Sequence, residues 1–136
     1  MAIFKDKLYL DTSKRMEILD ITLEVQKIID ESSIFNGVIN VYSKHSTSAI
    51  VVNENETGLL KDFENILNEI VPENNGYKHD ISDNNADSHL RSLFLGSSET
   101  IPFSDKKLDM GTWQSVFFVE LDGPRKRGVE LTLIGE

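Results

Sequence analysis

The spacing of apolar residues changes period several times along the chain, and each change marks an element. After Asp20, a good N-cap residue, Ile21, Val25, Ile28 and Ile29 fall at i, i+4, i+7 and i+8, which predicts a helix ending before the Asn36-Gly37 turn signal. From Thr57, a second plausible cap, Leu59, Leu60, Phe63, Ile66, Leu67 and Ile70 form the strongest helical pattern, closed by Pro72. A third, shorter helix is expected from about Ala86 to Leu95. Asn84 or Asn85 would cap it, Leu90, Leu93 and Phe94 would form its buried face, and Gly96 follows its end. Period-two or continuous apolar runs predict strands at Gly37 to Lys44, Ala49 to Val52, Glu99 to Phe103, Thr112 to Leu121 and Gly128 to Ile134. Val116-Phe117-Phe118-Val119 reads as a strand covered on both faces. Lys7 to Leu10 and Met16 to Leu19, joined by Thr12-Ser13-Lys14, read as an opening hairpin.

Strands and helices do not alternate as βαβ units would require, so the expected class is α+β. Two main helices and a short third pack on largely antiparallel sheet, as one domain over residues 1–136. The polar segment from Glu73 to Asn85 is too long for a tight connection and reads as a surface excursion or a functional loop.

Composition narrows the chemistry. The chain has no cysteine, which excludes disulfides, thiolate metal sites and thiol catalysis and leaves His, carboxylate and carbonyl groups as metal ligands. Acidic residues outnumber Lys and Arg 23 to 14, a net charge of −9, and most of the excess lies between Glu54 and Asp87. Such a surface repels nucleic acid and anionic membranes. No apolar run reaches membrane-spanning length, and no secretion signal opens the chain, so a cytoplasmic protein is expected. The one basic cluster, Arg125-Lys126-Arg127, suits a small phosphorylated ligand or simply forms a charged turn. A phosphate-binding loop is absent, because Gly123 to Gly128 lacks the lysine and is followed by a strand. Gly96-Ser97-Ser98 lacks the second glycine of a nucleophile elbow.

The three histidines are His45 at a strand end, His79 in the long loop and His89 on the short helix. Their spacing fits no local zinc template, but Asp80, Asp83 and Asp87 surround two of them and offer acceptors that orient imidazole rings.

The segments His45-Ser-Thr-Ser-Ala-Ile-Val-Val-Asn-Glu-Asn55, Val71-Pro-Glu, Tyr77-Lys-His79, Ser88-His89, Leu95-Gly-Ser-Ser98 with Ile101-Pro102, Gly111-Thr-Trp-Gln114 and Leu133-Ile-Gly-Glu136 together resemble the YjbQ family, from about Gly37 to the C-terminus. The resemblance implies a small α+β protein, a homotrimer, and secondary thiamine-phosphate synthase activity. In that reaction a pyrimidine methyl diphosphate is joined to a thiazole phosphate. It also implies that His45, His79 and His89 converge on one divalent metal in a cleft, within one chain or between subunits. Three neutral imidazoles suit Zn²⁺, with Fe²⁺ or Ni²⁺ as alternatives, and leave a position open for water or substrate.

On the same resemblance, Asn53 and Glu54, with Gln114, are candidates for acid–base work. Ser97 and Ser98 are candidates for phosphate binding, Thr112 and Trp113 for holding a heteroaromatic ring, and Arg125 and Arg127 for the charge of phosphorylated substrates. The metal and the basic turn are then expected to face one pocket. The rival readings are metal-assisted hydrolysis of a small phosphorylated or amide substrate, and a noncatalytic trimer that holds a metal or metabolite.

Overall fold

The computed structural model describes residues 1–136. It contains strands β1 (Ala2–Asp11), β2 (Glu17–Asp20), β3 (Gly37–Ser43), β4 (Ser48–Glu54), β5 (Ser98–Ser104), β6 (Lys107–Leu108), β7 (Gln114–Glu120) and β8 (Lys126–Gly135), and helices α1 (Thr22–Glu31), α2 (Thr57–Ile70) and α3 (Ala86–Leu95). A single 3-10 turn at Lys78–Ile81 breaks the long polar segment. All strand pairs are antiparallel, in a five-stranded sheet of order β1-β8-β3-β5-β6 and a three-stranded sheet of order β2-β7-β4.

The layers follow from which faces are apolar. Ile39, Val41, Ile101, Phe103, Val129, Leu131 and Leu133 point from the large sheet toward Ile50, Val116 and Phe118 of the small one, and Val25, Ile28 and Ile29 of α1 join the same core. The opposite face of the small sheet, Ala49, Phe117 and Val119, packs under Leu60 and Phe63 of α2 and Leu95 of α3. β7 is therefore covered on both sides, which explains its unbroken apolar run. The outer face of the large sheet stays open, and β8 accordingly alternates buried with more accessible residues.

The opening hairpin does not form. β1 pairs along its whole length with β8, Ala2 opposite Gly135 and Asp11 opposite Lys126, while β2 pairs with β7 in the other sheet. The polar segment between them is a crossing from one sheet to the other. Thr12 is buried there, its amide donating to the Arg125 carbonyl and its hydroxyl to Glu120. The side chains agree with this assignment, since Phe4, Leu8 and Leu10 pack on the inter-sheet core and Met16 and Ile18 on the cluster beneath α2.

Helix ends also differ in detail. Glu56, rather than Thr57, caps α2 by accepting from the amides of Gly58 and Leu59. The amide of Ala86 at the start of α3 is satisfied by Asp80. Gly96 ends α3 with a φ of 94°, a backbone region that disfavours other residues.

Where β3 and β8 end together, Gly37 faces Gly135, and a Cβ on Gly135 would lie 2.0 Å from the Asn36 carbonyl oxygen. Gly135→Ala is expected to cost about 1–3 kcal/mol by forcing these backbones apart. A urea titration that leaves the midpoint unchanged would contradict this.

Candidate functional site

His45 is the second residue after β3, in the four-residue link that carries the chain from the large sheet to the small one. Hydroxyls build the link: Ser43 and Ser48 Oγ lie 2.6 Å apart, and Ser48 donates to the His45 carbonyl at 3.0 Å. β3 pairs with β8 only as far as Ser43 and Val129, so the next β8 amide, Gly128 N–H, lacks a strand partner on this side. It donates instead to His45 Nε2 at 3.0 Å. The proton of the neutral ring therefore belongs on Nδ1. Partial burial, and then the positive charge of Arg127, hold the imidazole below its ordinary pKa.

Arg127 itself is buried. Its guanidinium donates to both oxygens of Glu120, through Nε at 2.9 Å and through Nη2, and to the Thr47 hydroxyl at 2.9 Å. Glu120 is fully buried and also accepts from Thr12 at 2.7 Å and from the amides of Leu121 and Asp122. Burial pushes its pKa up, but the hydrogen bonds from Arg127, Thr12 and the Asp122 amide outweigh this and hold it below the usual range.

α3 is seated by its polar face. Ser88 donates to the Leu121 carbonyl at 2.5 Å and Ser92 to the Ser48 carbonyl at 2.5 Å, which ties the helix to the ends of β7 and β4. Arg91 donates to the Val71 carbonyl at the end of α2 and to Asn68, while buried Asp87 takes an ion pair from Arg15 at 2.9 Å. Ser92 and His89 thus face the His45 link across an open cleft of about 430 Å³, whose other lining includes Ser43, Lys44, Ser46, Gly96 and Ser97. The lining contains imidazoles, hydroxyls, a lysine and the side chains of Tyr42 and Leu93, and no carboxylate.

The three histidines are brought together in part. His79, on the 3-10 turn, meets His89 edge to face, with ring centroids 4.8 Å apart and planes at 80°. Its Nε2 is 3.8 Å from Asp83 Oδ2. His45 stands on the other wall of the cleft that His89 borders, and within one chain no three His, Asp or Glu side chains converge as a metal-holding set. One chain offers a pair of imidazoles, and His45 joins them only with a ring whose Nε2 already accepts a hydrogen bond.

Most of the other candidates lie elsewhere. Asn53 and Glu54 are at the far end of β4 and Gln114 at the matching end of β7, Glu54 opposite Gln114, whereas Ser48 opposite Glu120 marks the histidine end. Six residues of strand at ~3.3 Å each separate the two ends by about 20 Å. Asn53 accepts from its neighbour's amide, and Gln114 from Gly111 N–H. Asn53 and Glu54 border a small apolar cavity of about 160 Å³ under Leu59, Leu60 and Phe63. Thr112 and Trp113 are exposed beside Gln114, Trp113 at 74%. Ser97 lines the histidine cleft, and Ser98 is an exposed first residue of β5.

The basic turn divides. Arg125 folds back on the Asp122 carbonyl and carboxylate, Lys126 is exposed, and Arg127 is enclosed with Glu120 and Thr47, its side chain held in an internal ion pair rather than presented to a ligand. The sequence reading missed Glu120, Thr12, Thr47 and Arg91, and it expected Asp87 beside an imidazole where the structure pairs it with Arg15. The legible signal was the acid closing an apolar run at Glu120, since a carboxylate in a strand covered on both faces requires a cation.

Comparison with known proteins now decides the relationship. The family profile described as UPF0047 protein YjbQ-like matches residues 6–136. The chain belongs to the YjbQ-like UPF0047 family. A UPF0047 protein of Methanothermobacter thermautotrophicus is 49% identical over all of this chain and 95% of its own, and UPF0047 protein YugU of Bacillus subtilis is 33% identical over 94% of this chain and 97% of its own. Among solved structures, a YbjQ-like protein of unknown function from Sulfolobus solfataricus superposes on this UPF0047 chain with a TM-score of 0.96 at 40% identity, covering 99% of each chain. A hypothetical protein from Aeropyrum pernix gives 0.94 at 36% identity, over 98% of this chain and 99% of its own. No helix of this UPF0047 protein is long and apolar enough to cross a membrane.

Proposed function

We propose that this UPF0047 protein is a metal-dependent enzyme acting on small phosphorylated metabolites, with thiamine-phosphate synthase-like activity as its main or a side reaction, and that it works as a homotrimer in the cytoplasm. The observation that carries the reading is a cleft without carboxylates in a chain of net charge −9, bordered by His45, His89, Lys44 and small hydroxyls. Such a lining receives anions and leaves no acid to repel them. The reaction needs little else, because pyrophosphate departs from the pyrimidine methylene as the thiazole nitrogen attacks, and no general base is called for. That accords with Asn53, Glu54 and Gln114 lying far from the cleft in their own chain, where a hydrolytic mechanism relying on a carboxylate base would be poorly served.

His79 and His89 suit a divalent metal such as Zn²⁺, with Fe²⁺ or Ni²⁺ as alternatives, and in this reading the third donor is His45 of another copy, whose Nε2 would exchange the Gly128 N–H for the ion. When bound, the ion supplies charge neutralisation at the departing pyrophosphate. Ser97 and the backbone at Gly96 offer close approach for a phosphate on the same wall.

The decisive measurement combines metal content after purification with pyrophosphate release from the two precursors, with and without chelator. We expect metal close to one ion per chain, turnover that chelation abolishes, and a loss of most of the metal in His79→Ala and in His89→Ala. Full metal retention by both variants overturns the centre. Stoichiometric metal with no turnover on the precursors or on a phosphoester panel favours the binding-protein reading instead.

A further inference from the structure

His45 and Lys44 also border a second groove, of about 370 Å³, which among the other expected site residues only Arg127 enters. Its charge comes from three separate elements. Lys7 is on β1, Lys44 follows β3 and Lys126 opens β8, and they come together because β8 lies between the other two strands. Glu130, on β8 opposite Lys7, is the only carboxylate in the groove, and a single oxygen, Oε1, accepts from Lys7 Nζ at 3.0 Å and from Lys44 Nζ at 3.2 Å. Lys126 has no carboxylate within salt-bridge distance, and the charge of Arg127 is matched internally by Glu120. Three ammoniums therefore face one carboxylate, at a point where the chain as a whole is strongly acidic.

Like charges gathered around one acceptor repel each other, and the arrangement is relieved by a second, multivalent anion. The groove is small, and the acidic remainder of the surface opposes long polyanions, so the fitting ligand is compact.

We propose that the groove formed by Lys7, Lys44 and Lys126 beside His45 is a binding site for the phosphate or diphosphate group of a small molecule. It deepens the phosphorylated-substrate reading, because Lys44 and His45 form the shared wall between this groove and the histidine cleft, so a ligand can place its anionic end here and its reacting end there. Lys44 and Lys126 bind directly. Glu130 competes with the ligand for Lys7 and Lys44 and keeps the groove from holding anions indiscriminately.

The test is calorimetric titration of inorganic phosphate and of pyrophosphate into the full-length, chelator-treated protein, so that neither metal nor turnover enters. We expect saturable binding, tighter for pyrophosphate and weakened by added salt. Lys44→Gln and Lys126→Gln should each raise the pyrophosphate Kd about fivefold and the double variant more than tenfold, while Glu130→Gln lowers it. Unchanged thermal unfolding of the lysine variants shows that the fold is kept. Absence of saturable binding, or a Kd indifferent to all four variants, overturns the site. If pyrophosphate binds through these lysines but the precursors are not joined, the reaction proposed above fails and the site stands. If the precursors are joined by the lysine variants at unaltered KM, the site fails and the reaction stands.

Discussion

Glu120→Ala should destabilise the protein by about 3–5 kcal/mol, read as a fall in the urea midpoint without a change in slope. The loss is large because the substitution leaves the buried Arg127 cation without a counter-charge, and it also removes the acceptor for Thr12 and for the Leu121 and Asp122 amides. For a domain whose whole stability is of the order of 5–15 kcal/mol, that is a substantial share. Replacing Glu120 and Arg127 together with apolar side chains should recover much of it, since no unpaired charge then remains.

The same carboxylate makes stability depend on pH. Its pKa is lower in the folded state than in the unfolded chain, so the unfolded state binds more protons between the two values and stability rises with pH through that interval. The contribution is complete above the ordinary glutamate pKa and is lost as pH falls through the depressed native one. Asp122 behaves in the same sense: burial raises its pKa, and hydrogen bonds from Asn85 and Arg125 lower it further than burial raises it. A stability–pH curve for Glu120→Gln should therefore be flatter on the acid side than that of the unchanged protein. An identical slope would mean that the pair is not what titrates.

Arg91→Ala is expected to cost about 3 kcal/mol and to loosen the histidine pair as well. Arg91 is 2% exposed, and its guanidinium is the clasp between α3 and the end of α2, where it satisfies the Val71 carbonyl through Nε and Nη2. Removing it leaves that carbonyl, in a buried residue, without its donors and takes a charge from beside Asp87. Since α3 carries His89, the edge-to-face contact with His79 should relax, and the ring proton resonances of both histidines should shift together in NMR spectra. A variant that loses stability but leaves both sets of resonances in place would show that the clasp and the histidine pair are independent.

The parts of the molecule written in local spacing were legible before any coordinates. The stripe from Leu59 to Ile70 gave α2, and the run from Val116 to Val119 gave a strand with two covered faces, because each pattern is set by neighbours a few residues apart. The pairing of β1 was not legible, since its partner lies at the opposite end of the chain and the short link after it looks like a turn. What the link does instead depends on Thr12 reaching Glu120, a contact over 108 positions.

The candidate site divides in the same way. That His45 closes a strand and His89 sits on a helix could be read from the residues, but the facing of the two across one cleft depends on how Ser92 and Ser88 seat α3 on the small sheet. Arg127 looked like a surface cation because its flanking residues are polar turn formers, and only the register of β8 against its neighbours turns it inward. Of the three lysines of the groove only Lys126 gave a signal, as the middle of the basic cluster, whereas Lys7 and Lys44 lie far from it in sequence and join it only through strand order.

That strand order also governs how copies can meet. The large sheet ends on one side in β1, studded with Lys5, Asp6, Lys7 and Asp11, and on the other in the two residues of β6. Neither rim invites a foreign strand, so the sheet is poorly disposed to continue from molecule to molecule as a ribbon. Association of these chains through the large sheet is thereby steered toward contacts between side-chain surfaces and away from open-ended growth through its backbone.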